Sequence, residues 1–423
     1  MNLPEKLKPY RSLIHNFTSL SVLQVANYLF PLITLPYVVR VLGPAKFGLI
    51  NFAAAFVAYF GLVCDYGFSL SGTKAVSIIR DNKLELSRIF SSIVIIKISF
   101  FILALVILLL FISFVPLFKT DWELYLISYG MVLGNVLFPM WFFQGIEQMK
   151  YIAIIQVLFR TVATVLIFVL IKREADYILL AILYSSTNIL IGVTGFIIAV
   201  NKFSIKLRLQ QIITLKSQLI SGWNIFLSMV SINLYTTSNT FVLGLFASEA
   251  TVGYYAAADK IRIAFQGLQS VMSQSVFPYV NKLAKESKAK LLNFNKQLLK
   301  IEGGVSLIVS IVLFVFANQL SDLILGAEFS ISGKVLKILS IAPFLISLSN
   351  VFGINTMIPL GFEKSFNVII SFAAILHIAL LLFLIPNYFT IGTAIAVCIT
   401  EFLVAVLMFI FLRKNKIKIF KYV

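Results

Sequence analysis

The 423-residue chain is 60% apolar and 12% charged, with a formal net charge of +18, whereas soluble domains are about half apolar and about a quarter charged. That balance excludes a soluble globular protein and makes this a bilayer protein. The positive charge does not read as a nucleic-acid interface, because it is confined to short breaks between long apolar stretches, as membrane topology demands.

A bilayer crossing takes roughly 20 apolar residues, and about twelve such stretches run along the chain. The first half holds 14–36, 47–70, 90–115, 124–144, 151–171 and 177–200. A basic segment, 201–218, follows, and then 219–246, 254–279, 301–318, 335–359, 366–385 and 391–412. The expected fold is an all-α polytopic membrane protein. Its two pseudo-symmetric six-helix lobes, 1–200 and 219–423, are joined by the 201–218 linker around a central cavity.

Lys and Arg crowd into every second break. Lys6, Lys8 and Arg11 precede the first span, and Lys74, Arg80, Lys83 and Arg88 fill the second break. The sixth break holds Lys202, Lys206, Arg208 and Lys216, and the eighth holds Lys282, Lys285, Lys288, Lys290, Lys296 and Lys300. The C-terminus closes with Arg413, Lys414, Lys416, Lys418 and Lys421. With Lys150 and Lys364, roughly 24 basic residues lie on one side against roughly seven on the other, and the positive-inside rule makes the basic side cytoplasmic. Both termini are therefore expected in the cytoplasm. The N-terminus imitates a secretory signal, but its apolar run is too long and has no evident small-residue cleavage site, so it is expected to stay as the first helix.

An internal repeat organises the chain. Asn135-Val136-Leu137 followed by Gly145-Ile146-Glu147 is echoed by Asn350-Val351-Phe352 followed by Gly361-Phe362-Glu363, and Phe47-Gly48 is answered by Val252-Gly253. Parallel repeats about an axis normal to the membrane are a transporter architecture, with the substrate path between the halves.

The first span of each half is the most polar. Gln24, Asn27, Pro31 and Thr34 fall along one helical stripe, and Asn224, Ser228, Ser231, Tyr235 and Asn239 do so in the seventh span. Such residues serve either as interhelical glue or as cavity lining, and two matching stripes favour a shared cavity. Pro31, Pro36, Pro139, Pro278, Pro343 and Pro359 fit helices bent around it.

Ionisable residues fall inside the spans: Arg160, His377 and Glu401 near mid-span, Asp65 and Lys97 nearer one end, and Asp259, Lys260 and Arg262 entering the eighth span. A charge at the bilayer centre costs at least about 2.5–3.5 kcal/mol, so it faces protein or a wet cavity. Lys97 is close enough to an end to snorkel, and Asp259 and Lys260 could neutralise one another or neighbours in an inter-helix pair. His377 is either a hydrogen-bonded core residue or part of a proton route. Glu401 is the better ion-coupling residue, since a carboxylate alternates between protonated and cation-bound forms.

Other chemistries are missing. Cys64 and Cys398 lie within spans, too far apart in sequence for a disulfide framework or a metal spacing, and read as packing residues. The two histidines, His15 and His377, cannot make a histidine metal cluster, no phosphate-binding GxxxxGK[ST] loop occurs, and no cofactor is implied.

The run from Asn27 to Gly43, together with Phe47-Gly48-Leu49-Ile50 and Asp65-Tyr66-Gly67-Phe68, resembles bacterial polysaccharide exporters, specifically Wzx-type O-antigen flippases. Gln144-Gly145-Ile146-Glu147 and Gly361-Phe362-Glu363-Lys364 resemble the paired cytoplasmic turns of that family. The resemblance implies a two-lobed fold of the multidrug/oligosaccharidyl-lipid/polysaccharide superfamily in the bacterial inner membrane. It implies movement of undecaprenyl-pyrophosphate-linked oligosaccharide, an O-antigen or related repeat unit, from the cytoplasmic to the periplasmic leaflet by alternating access, in some members with ion coupling. Membrane lipids, a polysaccharide polymerase and a chain-length regulator are the implied partners.

Pyrophosphate needs cations in a low-dielectric cavity, which assigns Arg40, Lys97, Arg160, Lys260 and Arg262 to the phosphate and Gln24, Asn27 and Asn224 to the sugar. Asp65, Asp259, His377 and Glu401 are assigned to gating or ion coupling. Three alternatives stand beside this reading. An ion-coupled drug or cation exporter of the same superfamily would favour acidic and aromatic cavity residues. A membrane glycan polymerase would need longer outer loops than this chain has, and a passive scaffold would leave the polar stripes without purpose.

Overall fold

The computed structural model describes residues 11–417, with their side chains except at 11–20, 268–272, 274, 275 and 278. The outermost basic residues that orient the chain, Lys6, Lys8, Lys418 and Lys421, and the side chains of Arg11 and Pro278 lie outside what is described.

Every regular element among the described residues is helical. The first half runs α1 (Arg11–Asp65), α2 (Phe68–Ile79), α3 (Lys83–Phe114), α4 (Pro116–Lys119), α5 (Trp122–Leu137), α6 (Met140–Gly145), α7 (Met149–Leu170) and α8 (Tyr177–Lys202). The second runs α9 (Ile212–Thr236), α10 (Ser238–Phe246), α11 (Glu249–Glu286), α12 (Lys288–Val315), α13 (Ala317–Ile324), α14 (Ser330–Leu339) and α15 (Ala342–Ser349). A π-helical segment, Asn350–Met357, leads into α16 (Glu363–Lys414).

Eight helical stretches among the described residues are long and apolar enough to cross a membrane, and all twelve expected spans fall on helices. Two of the eight carry two spans each. A straight helix of the length of α1 would be about 80 Å long, over twice the roughly 30 Å hydrocarbon core. It breaks at Gly43 (φ 67, ψ 174), between Leu42 and Pro44. Likewise α16 breaks at Phe389 (φ 44, ψ −119), just after Pro386. The seventh and eighth spans lie on α9–α10 and α11, which are long enough but more polar, with Asp259, Lys260 and Arg262 inside α11. The apolar side chains Ile102, Leu103, Val106, Leu109 and Leu110 of α3 point outward, as a helix facing lipid requires. The chain is a multi-pass membrane protein.

The helices pack as two compact units. The first comprises the described residues up to Phe30 with Ala53–Val230, and the second Pro31–Phe52 with Ser231 onward. Two segments show the packing that assigns them to a unit. Pro31–Phe52 joins the second unit, where Gly48 and Gly253 lie in backbone contact. Residues 201–230 join the first, where Tyr66 stacks on Phe226 at 4.8 Å.

In the first unit, Phe68, Phe90, Trp141, Phe142 and Phe143 form the core, with Phe90 edge-on to Phe142 at 5.3 Å. Helices α5 and α8 touch at small residues, a Cβ on Gly192 falling 2.4 Å from the Gly134 carbonyl oxygen, a close approach of the kind membrane helices use. In the second unit Val351, Phe352, Met357 and Met408 are central.

The recognised motifs occupy breaks. Tyr66 (φ 47) and Gly67 (φ 77) turn the chain between α1 and α2, and a Cβ on Gly67 would meet Ile225 Cγ2 at 2.9 Å. Asn135-Val136-Leu137 ends α5, while Asn350 opens the π-helical segment. In the turns that follow, Glu147 (φ 57) and Gly361 (φ 83) take the left-handed conformation.

Candidate functional site

In the first unit two cations lie within spans with very different partners. Lys97 is 3% exposed, so it does not snorkel. Its ammonium lies 3.6 Å from Asp65 Oδ1 and donates to the Asn135 carbonyl at 3.1 Å. Asp65 Oδ2 also accepts from the Ser69 backbone N–H at 3.4 Å. The Asn135 carbonyl is available because α5 ends at Leu137 ahead of the Phe138-Pro139 break, leaving terminal carbonyls without helical partners.

Arg160 sits mid-way along α7, half-buried. Its guanidinium donates to Asn27 Oδ1, a neutral partner, and it makes no ion pair with any described residue. Gln24, one turn before Asn27 on α1, is half-buried and partnered. Asn224 is exposed, and its carbonyl accepts from the Ser228 hydroxyl at 3.0 Å.

In the second unit the polar stripe of the seventh span bonds across helices. Ser231 Oγ lies 3.2 Å from Ser371 Oγ, the Tyr235 hydroxyl bonds Glu401, and Asn239 Oδ1 lies 2.9 Å from His377 Nε2. His377 Nδ1 lies 2.8 Å from Thr400 Oγ1, and the rings of Tyr235 and His377 meet edge to face at 6.3 Å. His377 and Thr400 are fully buried, and the second carboxylate oxygen of Glu401 has no hydrogen-bond partner among the described residues. Asp259 pairs with Arg262 at 2.7 Å rather than with Lys260, and Arg262 also reaches Gln266 Oε1 at 2.5 Å. Lys260 makes no hydrogen bond or ion pair with the described residues.

Arg40 stands apart from both groups. It is exposed beside the Gly43 break, and its guanidinium donates to the Leu323 carbonyl, where a cation complements the C-terminus of α13.

One buried acid escaped sequence reasoning. Glu302 in α12 is 3% exposed, and its Oε1, with Asn295 Oδ1 and Asn355 Oδ1, has no partner among the described residues. The repeat could have found it: Glu302 stands as far from Lys288 at the start of α12 as Lys97 stands from Lys83 at the start of α3.

Chemically, the first unit offers an embedded cation without a counter-charge, which suits an anion. The second offers a hydrogen-bonded imidazole and a carboxylate with a free oxygen, which suit protons or a cation. Among the described residues no group of three or more His, Cys, Asp or Glu could hold a metal ion.

The fold has relatives among solved structures. The lipid II flippase MurJ in an inward closed conformation superposes with a TM-score of 0.74 at 17% identity, covering 96% of this chain and 89% of that one. An inward-facing multidrug resistance MATE family transporter of the MOP superfamily gives 0.71 at 14% identity, over 96% and 100%. In sequence, the Escherichia coli (strain K12) "Putative O-antigen transporter" is 31% identical over 270 residues, 64% of this chain. The match spans 65% of the length of that relative. A model of the "Polysaccharide biosynthesis protein" family matches residues 13–284, which include Asn27, Asp65, Lys97 and Arg160. The chain belongs to the polysaccharide biosynthesis protein family.

Proposed function

We propose that the protein is a flippase, not an enzyme, and moves undecaprenyl-pyrophosphate-linked O-antigen or related repeat units from the cytoplasmic to the periplasmic leaflet by alternating access. The observation that carries the reading is Arg160, an arginine within a span whose partner is the neutral amide of Asn27. Embedding it costs at least about 2.5–3.5 kcal/mol, and an anionic ligand offsets that cost where a structural role would call for a carboxylate. Guanidinium suits a pyrophosphate because it donates bidentately. Lys97 carries the second embedded charge of that unit, and Asn27 and Gln24 are its candidates for sugar hydroxyls. Lys260 and Arg262 are the cations of the second unit. His377 and Glu401 are the groups through which a proton or cation gradient would drive the cycle.

A second reading, ion-coupled export of a drug or other cation, draws on Glu401 with its unpartnered oxygen and on the multidrug-transporter likeness of the fold. The two separate in a host lacking the gene. A flippase leaves intact lipid-linked repeat units facing the cytoplasm and no surface polymer. Wild-type protein restores export, and Arg160→Ala at matched membrane levels does not. Normal delivery of repeat units to the periplasmic leaflet without the gene, with no redundant flippase present, overturns the reading.

A further inference from the structure

A basic pocket lies within the first unit, away from the embedded charges. It has a volume of about 750 Å³ and is lined by Lys83, Arg88, Lys206 and Arg208, with Glu85 the one carboxylate. Three helices begin or end around it: α3 begins at Lys83, α8 ends at Lys202 and α9 begins at Ile212. The pocket therefore sits at one end of the bundle, on the side that the positive-inside rule makes cytoplasmic.

Topology accounts for the sign of this charge but not for its construction. The linker is stitched to α3 by two buried serines. Ser87 Oγ accepts from the Lys206 backbone N–H at 3.1 Å, and Ser91 Oγ accepts from the Arg208 N–H at 3.1 Å. Arg88 is braced across the pocket, donating to Thr214 Oγ1 at 3.2 Å with Glu85 at 3.5 Å. The side chains of Lys83, Lys206 and Arg208 make no ion pair with any described residue. The first N–H groups of α3 are already taken by Asn82, which accepts from Leu84 and Glu85. The free donors are thus the three unpaired cations.

The surroundings say what would occupy it. Leu209 is 95% exposed, Ile212 82% and Leu84 72%. Apolar groups beside unpaired cations at the end of a membrane bundle match a lipid, with acyl chains against the former and phosphate on the latter. A free phosphate would leave those side chains in water.

We propose that this pocket binds the headgroup of an anionic phospholipid. The site is separate from the transport charges, and it ties the linker between the repeats to the lipid composition of the leaflet.

Full-length protein in mixed micelles of phosphatidylglycerol and phosphatidylcholine, read by native mass spectrometry, tests this. The expected result is preferential retention of phosphatidylglycerol, reduced at least fivefold by Lys206→Gln/Arg208→Gln, while Lys216→Gln, a basic residue outside the pocket lining, retains it as wild type does. Both linker substitutions keep the backbone N–H groups that hold the segment. Should the double variant melt early, Lys83→Gln takes its place. Equal retention of the two lipids, or undiminished phosphatidylglycerol on the folded variants, overturns the proposal. Thermal stabilisation by inorganic phosphate with no lipid retained overturns it too, and assigns the pocket to a free anion.

Discussion

Gly48 and Gly253 meet backbone to backbone: a Cβ on Gly48 would lie 2.6 Å from the Gly253 nitrogen and 1.8 Å from the Glu249 carbonyl oxygen. From the other side, a Cβ on Gly253 would lie 2.0 Å from the Pro44 carbonyl oxygen. These are also the two glycines that the internal repeat matches to each other. Equivalent positions of the two halves thus form one contact, which admits no side chain on either partner.

Gly48→Ala should therefore destabilise the protein by at least the roughly 1–3 kcal/mol of ordinary overpacking, because the obstruction is backbone and cannot rotate away. Gly61, farther along the same helix, has nothing within 4 Å of its would-be Cβ, so Gly61→Ala should be neutral or mildly stabilising. Melting curves in detergent compare the two, and an unshifted Gly48→Ala curve would contradict the contact.

The Lys97–Asp65 pair separates structural from ligand-binding roles. Removing one partner of a buried pair costs about 3–5 kcal/mol, and Asp65, 31% exposed, should place Lys97→Met near the low end of that range. Lys97→Met/Asp65→Leu should regain much of the stability, since no charge is left stranded. Export should stay low in the double variant if Lys97 serves the anion. Recovery of export along with stability would reduce the pair to a packing element.

Asn27 orients Arg160, so its removal should weaken substrate handling more than folding. Asn27→Ala leaves the guanidinium charged but without its anchor, and export should fall roughly tenfold, about 1.4 kcal/mol of misplacement. Arg160→Lys should not substitute, because a point charge lacks the planar fork. Export assays at matched membrane levels decide both, and full activity of Arg160→Lys would argue against bidentate recognition.

Hydropathy made the spans legible because a bilayer imposes length and apolarity on each one separately. Arg160 and Lys97 stood out for the same reason. Their partners did not: Asn27 is 133 residues from Arg160, and hydropathy carries no information on which helices touch. The stripe containing Tyr235 and Asn239 was visible as helical spacing, yet only packing shows that both reach across to other helices. For Asp259 the sequence left open Lys260 or a neighbour on another helix; adjacent residues diverge on a helix, whereas Arg262 one turn on shares the face. That Pro31–Phe52 packs with the second unit was also hidden, because hydropathy follows the order of spans and packing follows contact.

His377 has a geometry that can hold a proton without breaking a hydrogen bond. Asn239 Nδ2 donates to the Thr236 carbonyl at 3.4 Å, which turns Asn239 Oδ1 toward the ring and keeps the proton on Nε2. Nδ1 is then the atom that titrates. In the neutral ring the Thr400 hydroxyl donates to Nδ1. In the charged ring Nδ1–H donates to Thr400 Oγ1, and the hydroxyl turns to the Ala396 carbonyl, 2.8 Å away. Both states are satisfied, as a proton carrier requires and a purely structural histidine does not. His377→Gln should fold, since an amide can still bond Asn239 or Thr400, but cannot exchange a proton. In proteoliposomes with an imposed pH gradient, the wild type should transport faster with the gradient than without, and His377→Gln should show the same slow rate in both. Thr400→Val should reduce the gradient response by removing the hydroxyl that turns. An undiminished response in His377→Gln would exclude this imidazole as the carrier and leave Glu401 as the group to test.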